Sequence, residues 1–286
     1  MKLRPLLVGA LAVVSTAAHA WSATGHMVIA AIAKRDMTPF AFSEANRLLK
    51  VGATPRADDL LTAAPWADDV RNERQETGPW HYINLHFRTD RKPVTNKPEA
   101  ENAVVAIERL TKVLADKSKP DLERADALRY IIHFVGDLHQ PLHAVARDSD
   151  EHPQGDRGGN DFKIQPPASM AGTSRPPTNL HSLWDGGVGL FPFRERPLSP
   201  LDRAAVELQA ETIAAAIPAE TLRGVDDLRP MNWAREGFAE ARRTVYDLLE
   251  NTVPSEEYMR RGRTLSARRA AYAGYRLAAI LNRALG

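Results

Sequence analysis

No cysteine occurs anywhere in the 286 residues, so this chain has no disulfide to close its loops and no thiolate to hold a structural metal. Whatever fixes its fold is a packed core, helped at most by metal held through nitrogen and oxygen. That restriction matters because the first twenty residues read as an export signal. Lys2 and Arg4 precede an apolar run from Leu6 to Val14, and Ala18, His19 and Ala20 supply a small-x-small cleavage site. The run is shorter than the roughly 20 residues that span a bilayer. The expectation is a cleaved signal peptide over 1–20 and one soluble domain over 21–286, in the periplasm or the medium, with no stable membrane association.

Losing Lys2 and Arg4 with the signal takes the formal net charge from +2 to zero. Overall charge then gives no attraction for a polyanion, and any grip on phosphate has to be local. The apolar spacing is helical almost throughout. Ala103, Ile107, Leu110 and Leu114 form one stripe of an amphipathic helix. Ser199 and Pro200 read as N-cap and first-turn proline of a helix reaching about Ile217. Asp121 to about His139 and Leu265 to about Leu285 read as two more. Strand-like alternation is confined to a short hairpin beginning near Asp161 to Ile164. The stretch from Gln165 to Thr178, rich in proline, serine and glycine, reads as a surface loop. The fold class expected is a single all-α domain.

The histidines carry the chemistry. Those left after signal removal are His26, His81, His86, His133, His139, His143, His152 and His181. In "HFVGDLHQPLH", His133 and Asp137 are four apart and share one helix face, so both can reach one cation. His139 points elsewhere, and Pro141 ends or bends the helix so that His143 aims at a different point. "NLHSLWD" repeats the spacing with His181 and Asp185, "WADDVR" offers Asp68 or Asp69, and "WHYINL" offers His81. Each phrase alone describes an ordinary hydrogen-bonded pair. Together, imidazole and carboxylate without thiolate suit zinc in a catalytic setting.

Cleavage after Ala20 would leave Trp21 with a free amine of pKa near 8, from which zinc can displace the proton. With its own carbonyl oxygen that amine would chelate, and His26 would complete the grip while the indole stays in the core.

In order along the chain, "WSATGH", "WADDVR", "WHYIN", "HFVGDLHQPLH", "GGND", "NLHSLWD" and "GYRLAAILN" resemble the S1/P1 nuclease family, within the wider group that includes zinc-dependent phospholipases C. The resemblance runs from Trp21 to Asn282. It implies a mostly α-helical fold with three zinc ions in one cleft. By that likeness Asp68, His81, His133 and Asp137 hold one zinc. Trp21, His26 and a bridging Asp137 hold the second, and His143, His181 and Asp185 the third. Asp68 is favoured over Asp69 by its spacing from Trp66, and His81 over the His86 of "LHFRTD" by its aromatic neighbour. Tyr82 and Asn160 match substrate contacts, while His139 is expected just behind the ligands and His152 in solvent.

The implied activity is zinc-assisted, in-line hydrolysis of phosphodiester bonds in single-stranded DNA and RNA. Its products are 5′-nucleotides, 3′-nucleotides are further substrates, and the enzyme acts as a monomer. Asp68, Asp137 and Asn84 are its expected catalytic residues. Asn84 is a departure, since the family usually has an aspartate there: an amide can orient water but not deprotonate it. Two other readings use the same residues: a phospholipase C, against which Asp185 rather than glutamate speaks, and a non-catalytic exported zinc-binding protein. Without a basic stripe, nucleic acid would be held by zinc and by stacking, with shallow salt dependence.

Overall fold

Asp121 to Asp137 forms the helix around which the others are packed. Asp121 and Glu123 occupy its first turn, where carboxylates complement the helix dipole. From Ala127 onward every residue of it is buried, so it is a core helix and not an amphipathic one. The computed structural model describes residues 21–54 and 56–286, so the signal-peptide reading of 1–20 lies outside the described residues. Its helices are α1 (Ala23–Asp36), α2 (Pro39–Leu49), α3 (Leu60–Ala63), α4 (Trp66–Asp69), α5 (Ala103–Ala115), α6 (Asp121–Asp137), α7 (Ala168–Ala171), α8 (Leu180–Asp185), α9 (Pro200–Ala216), α10 (Pro230–Glu240) and α11 (Glu256–Leu285). The chain is all-α as expected. The one ladder among the described residues is a parallel pair, His86–Phe87 (β1) with Ala146–Arg147 (β2).

The helix boundaries follow local chemistry. The Asn102 side chain accepts from the N–H groups of Val104 and Val105 and starts α5. Ser199 and Pro200 start α9 as the sequence indicates. α11 begins nine residues before Leu265: Ser255 caps it, accepting from Tyr258 N at 3.2 Å, and Glu256 and Glu257 fill its first turn. Its early turns carry Arg260, Arg261 and Arg263 and so hide the apolar stripe. The hairpin expected near Asp161 reduces to one antiparallel bridge, Lys163 with Asn179. The loop from Gln165 to Thr178 contains the single turn of α7.

α1 and α11 pack in close contact at Gly274, where an added Cβ would lie 2.4 Å from Ile32 Cγ2. Together with α2, α5, α6, α9 and α10 they enclose the main core. A second, smaller core gathers Leu142, Phe162, Leu180, Trp184, Tyr258 and their neighbours. The 3₁₀ turn Pro141–Ala144 joins them, with Leu142 in the second core and Ala144 in the first. His133 and Asp137 thus come from the main core, His181 and Asp185 from the helix of the second. No helix among the described residues is long and apolar enough to cross a membrane.

Candidate functional site

α6 presents His133 and Asp137 side by side, one helical turn apart. α1 brings His26 against them: its Nε2 lies 3.2 Å from Asp137 Oδ1, and its ring stacks on His133 at 4.0 Å between centroids. The 3₁₀ segment Gln75–His81 ends with His81, whose Nδ1 is 2.9 Å from Asp137 Oδ2 and 3.7 Å from Asp68 Oδ1. Asp68, on the single turn of α4, also approaches His133 Nε2 at 3.5 Å. On the far side of the turn at Pro141, His143 Nε2 faces His181 Nε2 at 3.2 Å, with Asp185 Oδ1 3.5 Å from the same His181 nitrogen. Three groups result, each with ligand atoms within 4.8 Å of one another: His26, Asp68 and His133; His81, His133 and Asp137; His143, His181 and Asp185.

The rings are aimed from behind. His133 Nδ1 donates to Ala64 O, His143 Nδ1 to His81 O and His181 Nδ1 to Gly158 O, each at 2.7 Å. A neutral imidazole that donates from Nδ1 has a lone pair at Nε2, the arrangement of metal-binding histidine. Buried polar atoms lacking a hydrogen-bond partner collect in the same place: His26 Nε2, His133 Nε2 and Asp137 Oδ1. Such atoms are costly unless a cation satisfies them. The donor set therefore fits metal ions.

Electrostatics agrees. Burial would push the Asp137 carboxyl up, yet the His133, His26 and His81 rings hold it well below the usual carboxylate range. Burial lowers the His133 ring, but Asp137 and Asp68 outweigh it and raise that ring well above an ordinary histidine. The site thus demands positive charge, which a proton on His133 supplies when no metal does. Burial and then neighbouring His133 push His26 down to about 4. Asp185 is raised well above the carboxylate range by burial, with the charges of Asp68 and Asp137 adding to it.

Trp21 is fully buried, its Nε1 donating to Gly136 O at 2.9 Å and its ring meeting Phe191 edge-on. The next residue's N–H donates to Asp185 O at 2.7 Å. The start of the described chain is thereby tied to both α6 and α8. The second and third groups reach the wall of a cleft of about 480 Å³ through His81, His143 and His181. Over residues 21–286 the sequence matches the family model of the S1/P1 nucleases.

The chain belongs to the S1/P1 nuclease family.

Endonuclease 2 of Arabidopsis thaliana is 27% identical over 94% of this chain and 91% of its own length. Nuclease P1 of Penicillium citrinum is 30% identical over 58% of this chain and 57% of its own. Nuclease S1 of Aspergillus oryzae is 25% identical over 98% and 97%. In this S1/P1 family member Tyr82, Asn84 and Asn160 all line the cleft. Asn160 Nδ2 donates to Arg157 O at 2.8 Å.

The competing candidates lie elsewhere. Asp69 pairs with Arg196 at 2.5 Å, away from the three groups. His86, on β1, is 2.6 Å from Asp148 Oδ1 and joins none of them. His139 is not behind the ligands as expected: Nδ1 donates to Val135 O, Nε2 accepts from Arg276, and the ring packs on Trp233. It closes the core under α6, because it follows the last turn on the opposite side from Asp137. His152 is half-buried.

Several participants escape sequence reasoning. Gln140 is fully buried; its Nε2 donates to Asp185 Oδ1 at 2.8 Å and its Oε1 accepts from Leu142 N at 2.7 Å. Its position immediately before Pro141, as N-cap of the 3₁₀ turn, was the available signal. Arg71 lines the same cleft wall as Arg157 and Lys163, which lie more than 80 residues later in the chain. The structure thus supplies a local basic rim where the sequence shows no stripe.

Proposed function

We propose that the chain is an exported trinuclear-zinc nuclease, formed by residues 21–286 after loss of 1–20. It would hydrolyse phosphodiester bonds of single-stranded DNA and RNA to 5′-nucleotides, with 3′-nucleotidase activity, as a monomer. The observation that carries this reading is the set of three His/Asp groups, with backbone carbonyls aiming the His133, His143 and His181 rings and with His81, His143 and His181 on the wall of one cleft.

Asp68, His81, His133 and Asp137 would hold one zinc. Trp21, through amine and carbonyl, His26 and the shared Asp137 would hold a second, and His143, His181 and Asp185 a third. Bound there, zinc supplies charge for a phosphate and lowers the pKa of water towards neutrality. The protein's part is positioning for in-line attack on phosphorus. Ala64, His81 and Gly158 carbonyls fix the rings, Gln140 orients Asp185, and Asn84 orients the attacking water. Tyr82 offers a face for a base and Asn160 a polar contact for the nucleotide. Arg71 and Lys163 meet neighbouring phosphates.

The test compares protein beginning at Trp21 with protein beginning Gly-Trp21, in which the tryptophan amine has become an amide. We expect three zincs per chain and release of acid-soluble nucleotides from single-stranded DNA in the first. The second should lose one zinc and most turnover. Equal zinc and equal activity would remove Trp21 from the ligand set. Zinc without hydrolysis in either protein would end the nuclease reading.

A further inference from the structure

Asn84 is gripped twice by one carboxylate. Its side-chain Nδ2 donates to Glu99 Oε1 at 2.5 Å, and its backbone N–H donates to Glu99 Oε2 at 3.3 Å. An ionised carboxylate only accepts, so the arm of the amide that faces Glu99 is the NH₂, and the carbonyl Oδ1 occupies the other arm. Asn84 lines the cleft three residues after His81, whereas Glu99, half-buried, is not among the lining residues.

Glu99 is itself tethered. Its carbonyl accepts from Asn102 Nδ2 at 2.7 Å, next to the cap of α5. Earlier in the same segment, Asn96 Nδ2 donates to Asp148 Oδ2 at 2.9 Å and to Pro153 O at 2.8 Å. The long connection between β1 and α5 is thus pinned at both ends of the stretch that delivers Glu99. A staple for that connection needs no partner in the cleft wall, yet the carboxylate is spent on both N–H-bearing groups of one cleft residue.

We propose that Glu99 is a positioning residue for hydrolysis: it locks the Asn84 amide with Oδ1 turned into the cleft, as an acceptor for the attacking water. The proposal rests on the nuclease reading above. The sense of the hydrogen bond decides its value. A water that donates to Oδ1 keeps its lone pair for phosphorus, whereas a water that accepts from an NH₂ has that lone pair engaged. An amide without Glu99 can present either arm, so part of the population would face the water the wrong way.

Three variants test this. E99Q keeps the shape of the staple but pairs with Asn84 in either sense; we expect kcat to fall about tenfold, equivalent to one misplaced hydrogen bond, with KM and zinc content unchanged. N84D sets two carboxylates against each other and should fall further. N84D/E99Q restores a donor and acceptor pair with its polarity reversed, since the introduced amide donates to one oxygen of the introduced carboxylate and the other oxygen faces the cleft. It should exceed N84D at least tenfold in kcat. The clamp is also read without turnover. In ¹⁵N–¹H spectra of metal-free protein, the Asn84 side-chain NH₂ pair, assigned by its loss in N84D, should move on E99Q substitution. Wild-type kcat in E99Q, no gain in the double variant, or an unmoved NH₂ pair would each overturn the proposal. Wild-type protein that releases no nucleotide would instead overturn the nuclease reading, while the NH₂ pair still reports on the clamp.

Discussion

His143 Nε2 and His181 Nε2 face each other at 3.2 Å while both rings donate backwards from Nδ1, to His81 O and Gly158 O. Two lone pairs pointed together repel unless a cation lies between them. Protonation is a poor substitute, because burial lowers the His143 ring first of all. Chelation should therefore destabilise the protein and not merely silence it. A site a thousandfold saturated contributes about 4 kcal/mol, or a loss of about 10 °C in a chain of this size. Thermal unfolding with and without chelator, then with zinc restored, measures it. An unchanged midpoint would mean that this pair holds no metal.

Gly158 bears on the same pair. Its φ is +59°, and a Cβ there would lie 2.3 Å from Leu142 O, a backbone atom of the turn that carries His143. G158A has to displace either that turn or the carbonyl that aims His181. We expect about 2 kcal/mol of lost stability from the strained backbone, together with loss of one zinc. G172A is the control, since φ is −91° and nothing lies within 4 Å of its added Cβ. Metal analysis and thermal unfolding of both decide it. Full zinc in G158A would show that the carbonyl does not position the ligand.

The cleft rim sets salt dependence. Arg71, Arg157 and Lys163 are the cations on the cleft wall; Arg157 pairs with Asp161 at 2.9 and 2.6 Å, Arg71 reaches Gly78 O at 3.5 Å and Lys163 reaches Asn160 O at 3.4 Å. Each phosphate neutralised on a single strand contributes about −0.7 to the slope of log K against log salt. Two such contacts give a slope near −1.4, and K163A should reduce it by about 0.7 with little change in base preference. Titrating binding of a single-stranded oligonucleotide across salt concentrations measures both. A slope steeper than about −3 would require further cations outside this cleft.

The sequence was most legible where one helix face carried the chemistry. His133 with Asp137 and His181 with Asp185 declare themselves by the i,i+4 spacing, and the proline after the first pair announces a change of direction for His143. α5 was legible from its apolar stripe and α9 from its Ser199 and Pro200 start. The start of α11 was not, because its first turns are held by a Ser255 cap and a run of arginines instead of an apolar stripe. What local pattern cannot convey is what arrives from elsewhere. The carbonyls that fix the rings belong to residues 23 to 69 positions away, and Glu99 reaches Asn84 across 15. His139 shows the opposite failure: it stands in the richest phrase, but the helix turns it into the core.

That core contact gives the last prediction. Arg269 and Arg276, on α11, are buried and share Glu236 of α10 at 2.7 to 2.9 Å. Further donors of the two go to carbonyls of His139, Trp233 and Gly224 and to His139 Nε2. Burial tends to raise the Glu236 carboxyl, but Arg276 and Arg269 bring it below the usual range. A carboxylate depressed in the folded state contributes stability above its unfolded pKa, about 4.3, and loses it as pH falls through the folded value. E236Q leaves two buried cations with carbonyls and a neutral ring. Breaking a fully buried pair costs about 3–5 kcal/mol; with the Glu236 side chain one-third exposed we expect nearer about 2 kcal/mol, or about 6 °C at pH 7. The gap should begin to narrow below the unfolded pKa of about 4.3 and close only once pH has fallen through the lower folded value, where the wild-type carboxyl is itself protonated. Zinc content should not change, because none of these groups joins the metal ligands. Thermal midpoints of both proteins from about pH 7 to about pH 3 test the assignment, and a gap independent of pH would mean that E236Q acts by packing and not by charge.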